Sequence, residues 1–151
     1  MQSKLRLASV VLFCLVSLFL VWFGVTYATV KDMLWFHAAA VPNEAHDAVR
    51  PLYLALMKLI GGSSAALGLL GGYMACGPVR NGARGAALAL ATVLAIPFLT
   101  AAFVAEGLAA RTGSPTSWHI MGVLLAVTAS AFFVDLLSKR PAVSTFELAL
   151  R

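Results

Sequence analysis

The stretch LASVVLFCLVSLFLVWFGVTYATV, residues 7–30, contains no charged side chain from end to end. A helix rises about 1.5 Å per residue, so this run alone crosses the roughly 30 Å of a bilayer's hydrocarbon core. Inside hydrocarbon every backbone N–H and C=O must be paired within the structure, which leaves helices and closed barrels as the spanning forms. The run is apolar on consecutive positions and lacks the alternation of a barrel strand, so a helix is expected. Comparable runs follow at about 52–76, 85–108 and 118–137. The expected fold class is all-α, an integral membrane bundle of four transmembrane helices. It forms one domain over residues 1–151, with a short tail at 138–151. Composition agrees: 61% of the 151 residues are hydrophobic and 11% charged, which leaves little chain for a soluble catalytic domain. A secretory leader has a shorter apolar core and a small-residue cleavage site, so the first run is expected to be retained as a helix.

The formal net charge of +5 reads as a topology signal rather than a nucleic-acid surface. Four spans put both termini on one side, with Lys4, Arg6, Arg80, Arg84, Lys139, Arg140 and Arg151. The other side holds Lys31, Arg50 and Arg111. Both termini and the 77–84 turn, GPVRNGAR, are therefore expected in the cytoplasm. His37, His46 and His119 all fall at the opposite, outer end, together with Asp32, Glu44, Asp47 and Glu106.

Within FHAAAVPNEAHDAVRP, residues 36–51, Asp32 is positioned to cap a short helix and Asn43 to cap a turn leading at Pro51 into the second span. Rotation of about 100° per residue leaves Glu44 and Asp47 about 60° apart but turns His46 about 160° from Glu44. One helix cannot aim all three at one ion. The chain also lacks H-E-x-x-H, E-x-x-H and H-x-x-x-H. A site assembled between elements remains open: His37, Glu106 and His119 together would suit a metal, a haem or a quinone. The alternative is that each histidine is hydrogen-bonded to its neighbouring loop. No nucleophile–base constellation is legible, which points away from an enzyme.

Inside the second span, Ser64, Gly68, Gly72 and Cys76 form an i, i+4 row of small residues, suited to close helix packing or to accommodating a flat ligand. Lys58 lies within the same span and is expected either to snorkel outward or to pair with Glu106. Pro97 is expected to kink the third span, with Thr92 or Thr100 helping to satisfy the freed groups. Trp35, Phe36, Tyr53 and Trp118 suit an aromatic belt. Asp135 and Lys139, four apart, read as a helical ion pair without a site. Cys14 and Cys76 form no C-x-x-C and read as reduced, buried small residues.

Residues 57–91, MKLIGGSSAALGLLGGYMACGPVRNGARGAALALA, resemble the DoxX-like superfamily of small bacterial four-helix membrane proteins. The shared features are a Gly-Gly in the second helix, an A-L-G-L core and a short basic turn into an alanine-rich third helix. The resemblance implies the architecture and a bacterial inner-membrane location; it implies no catalytic residue. The expected role is a non-enzymatic accessory or assembly subunit, with lipid and other membrane subunits, or further copies of the chain, as partners. The alternatives are a redox or ligand-binding membrane protein and a small homo-oligomeric transporter built around Lys58 and Glu106.

Overall fold

A computed structural model describes residues 2–139 of the chain. The elements are α1 (Gln2–Ala28), the single-turn α2 (Trp35–Ala38), α3 (His46–Met74), α4 (Ala86–Thr112) and α5 (His119–Lys139). A 3-10 turn at Asn43–Ala45 precedes α3, and a π-helical segment at Ala75–Val79 extends it. Among the described residues there is no strand. Four helices are long and apolar enough to cross a membrane. The expected tail, with Arg140, Glu147 and Arg151, lies outside the described residues after Lys139.

The boundaries move for identifiable reasons. The second span starts at His46, earlier than Leu52, and takes Pro51 into its second turn, where the loss is one N–H bond to the Asp47 carbonyl. At its other end Pro78 cannot donate to the carbonyl of Met74. The ladder widens there, with Arg80 N–H donating to Ala75 O at 3.1 Å, five residues back. Gly82 and Gly85 then take positive φ values of 73° and 78°, which turn the chain into α4. At Gly82 the positive φ disfavours a side chain, and a Cβ there would also crowd the Arg6 guanidinium at 3.0 Å. Helix α4 runs unbroken through Pro97, and Thr100 Oγ donates to Ile96 O at 2.9 Å.

Helix α1 is the centre of the packing, against α3 on one side and α5 on another; α4 leans on α5 and touches α3 only lightly. Sequence period explains this. On α1 the buried positions Val10, Ser17 and Gly24 recur every seven residues, as do Phe13 and Leu20. On α5 Leu124, Ala131 and Ser138 do the same, as do Thr128 and Asp135. A sevenfold repeat keeps one seam facing a neighbouring helix along its whole length. The core it builds includes Phe13, Val16, Leu20, Leu90, Leu94, Phe98 and Ala131.

Close approach of α1 and α3 depends on missing side chains. A Cβ on Gly61 would sit 2.3 Å from Ala28 N, and one on Gly24 would sit 2.4 Å from Ala65 N. A Cβ on Gly68 would meet Ser17 O at 2.6 Å. In lipid, where there is no hydrophobic drive between helices, such backbone contact is the main source of association. Of the expected row, Gly68 lies in this contact, whereas a Cβ on Gly72 would meet nothing within 4 Å. Steps of four advance about 40° each around a helix, so a strict i, i+4 row winds off the interface. Gly61 and Gly68, seven apart, stay on it.

The remaining faces are apolar and exposed, from Leu15, Leu18 and Trp22 on α1 to Phe103 on α4, 82% exposed. Surfaces of this kind on helices of this length indicate contact with a lipid bilayer.

Candidate functional site

The end of the molecule that carries α2 holds the residues singled out by sequence. His37 Nδ1 lies 2.9 Å from Tyr53 Oη. That oxygen already accepts the Leu34 N–H at 3.2 Å, so the phenol hydrogen is free to donate to His37 Nδ1. The ring proton of His37 is then on Nε2. Burial pushes the His37 pKa below the ordinary imidazole value, which favours this neutral form. Tyr27 and Tyr53 meet the imidazole edge-on, and Phe36 lies against it.

The other two histidines are engaged just as locally. His46 Nε2–H donates to Val41 O at 3.0 Å and, more weakly, to Ala38 O at 3.3 Å, tying the first residue of α3 to the loop before it. Ser117 Oγ accepts the His119 backbone N–H at 3.2 Å and turns its own hydrogen to His119 Nδ1. The His119 ring stacks on Trp118. Asp32 does not cap α2: Leu34 holds that position without a side-chain bond. Instead Asp32 accepts the Met33 N–H and pairs with Arg50 at 3.3 Å. Asn43 likewise lies inside the 3-10 turn rather than capping a helix.

Among the described residues no group of three or more His, Cys, Asp or Glu side chains converges so as to hold a metal ion. His37, Glu106 and His119 are not gathered into one. Lys58 and Glu106 are both exposed. Among the described residues the ion pairs are Arg50–Asp32 and Lys139–Asp135, so Lys58 and Glu106 do not pair within the chain.

The opposite end, where the 80–85 turn lies, is built differently. Asp135 is 1% exposed. Lys139 Nζ lies 2.6 Å from its Oδ2, an ion pair by distance, yet neither carboxylate oxygen has a partner in hydrogen-bonding geometry. One turn away Ser138 Oγ donates to the Asp135 backbone carbonyl at 2.7 Å. Across the α1–α5 seam Ser9 Oγ donates to Ala131 O at 2.8 Å. Arg6 rests its guanidinium against Gly82, with its Nε buried and unpartnered. Beside this group is a cavity of about 340 Å³, lined by Arg84, Lys139, Asp135, Gly82, Gly85 and Phe132 among others.

The i, i+4 spacing of Asp135 and Lys139 points to their ion pair but not to the burial of Asp135. The signal was present: Leu124, Thr128, Ala131, Asp135 and Ser138 follow one 4-3-4-3 seam, so Asp135 falls on the buried face. Higher on α1, Cys14 Sγ approaches Cys76 Sγ to 3.6 Å; both are free thiols, and Cys76 is exposed rather than buried. No protein-family profile, curated protein or solved structure matches this chain.

Proposed function

We propose that this chain is a multi-pass protein of a bacterial inner membrane, a four-helix bundle with both termini and the 80–85 turn cytoplasmic. In this reading it serves as a non-enzymatic accessory or assembly subunit of a larger membrane complex, with the architecture of the DoxX-like group that residues 57–91 resemble. The observation that carries it is Lys58. It sits on α3 about 9 Å beyond Leu52, it is exposed, and it has no ion-pair partner among the described residues. A cation at that depth is offset by an opposite charge from a neighbouring protein or by reaching outward to the interface. The broad apolar face of α4, covered mainly by α5, supports the same reading.

Copurification in mild detergent tests it. A second subunit should accompany the wild-type chain and be lost from K58Q. A chain that purifies alone, with K58Q behaving identically, would overturn the reading.

One observation favours a second possibility. Lys58 and Glu106 carry opposite charges, are both exposed and have no ion-pair partner among the described residues, as an intermolecular pair in a homo-oligomer requires. Such a homo-oligomer is the form a small transporter would take. In that case K58E and E106K should each dissociate the oligomer, and the charge-swapped double variant should restore it.

A further inference from the structure

The chain has two cysteines, and the fold brings them together: Cys14 on α1 and Cys76 in the π segment, 62 positions apart, approach to 3.6 Å between sulfurs. Pro78 sets this up by forcing the π turn that contains Cys76. The two thiols are unequal. Cys76 is exposed and Cys14 is half-buried beneath it. An accessible thiol with a second thiol within reach is the arrangement in which a sulfenic acid, once formed, condenses to a disulfide.

We propose that Cys76 and Cys14 form a peroxide-reactive dithiol whose oxidant is an organic hydroperoxide dissolved in the lipid. The Cys76 sulfur attacks the terminal oxygen of the hydroperoxide. The O–O bond breaks, the alcohol leaves with a proton, and Cys76 becomes a sulfenic acid. Cys14 then attacks the Cys76 sulfur, forming the disulfide and releasing water. Two thiols are oxidised, one peroxide is reduced, and no further reactant is needed.

Two arguments select this chemistry, both resting on the membrane reading of α1 and α3. First, exposed Leu69, Leu70 and Tyr73 on a membrane-length helix lead up to Cys76, so an oxidant dissolved in lipid has an apolar approach to it. Second, a monovalent soft metal such as Cu(I) held by two thiolates would place net negative charge in apolar surroundings, whereas a disulfide is neutral. The product ties α1 to the segment that leads into the 80–85 turn, across the interface between α1 and the π segment.

The test uses the full chain in liposomes, treated with cumene hydroperoxide, alkylated and weighed intact. Wild type should lose both alkylatable thiols together while remaining monomeric, and dithiothreitol should restore both. With dimedone present, C14S should trap an adduct on Cys76. In C76S the remaining thiol should oxidise roughly tenfold more slowly. The proposal is overturned if wild type keeps both thiols, if oxidation yields only cross-linked dimers, or if C76S and C14S oxidise at equal rates. The wild-type arm needs no variant to fold, and copurified subunits play no part in its readout.

Discussion

The two ends of the molecule treat polar groups in opposite ways. At the α2 end, the three histidines and Asp32 each find a partner in the loops or in the first turns of α3. His46 finds the carbonyls of Ala38 and Val41, His119 finds Ser117, and Asp32 finds Met33 and Arg50. At the other end the connection is a tight glycine turn with nothing to spare. Polar groups from α1, the turn and α5 are left facing one another and a cavity. A long loop resolves its polar groups locally, whereas a short turn hands the problem to tertiary packing.

The contrast is most exposed to failure at Lys139. Replacing it with Met leaves the Asp135 carboxylate buried without a counter-ion, and the expected loss is about 3 kcal/mol, read by denaturant titration in detergent. The double variant D135L/K139M should recover most of that loss, because an uncharged, filled site needs no partner. Equal losses in single and double variants would mean that burial of the carboxylate is not what distinguishes this end.

Gly61→Ala, where α1 and α3 meet backbone to backbone, should cost about 1–3 kcal/mol by forcing the helices apart. Gly72→Ala, opening onto free space, should be neutral or gain up to about 1 kcal/mol from helix propensity. Reversal of that order would remove the close contact as the basis of α1–α3 association.

Tyr53→Phe deletes the hydrogen donated to His37 and should cost about 1 kcal/mol, confined to the α2 end. The confinement is the informative part: hydrogen exchange should rise at residues 34–41 and leave α5 unchanged.

The pH response is smaller still. His37 has its pKa lowered in the folded protein, so the unfolded chain binds a proton more readily, and stability rises with pH across that interval. The contribution is present above the ordinary imidazole value of about 6.5 and is lost as pH falls toward the lower folded value. Protection of the His37 and Ala38 amides should therefore decline on acidification in wild type. Because burial is the cause, the decline should persist in Tyr53→Phe.

The four spans were legible because bilayer thickness and the backbone's need for internal hydrogen bonds leave few alternatives for long apolar runs. Their ends were less so. Pro51 reads as a helix start, yet the helix absorbs it one turn in, because a proline near an N-terminus removes few bonds. Partner choice was the least legible. Nothing local in the sequence announces that Tyr53, rather than a metal or Glu106, is what His37 meets, since that depends on how far α2 folds back over α3. Cys14 and Cys76 were visible as two thiols, but their meeting depends on a π turn whose effect is rotational. Asp135 was legible in principle, once its seam was followed by sevens instead of paired by fours.

That π turn also acts as a phase shifter. A helix that changes from four-residue to five-residue bonding gains, in effect, one residue, about 100° of rotation for all that follows. Pro78 therefore fixes the direction in which the chain leaves α3 toward Arg80, as well as the place where α3 loosens. Pro78→Ala lets the tighter ladder close, and Gly82 should then swing out from under Arg6 even though neither residue has changed.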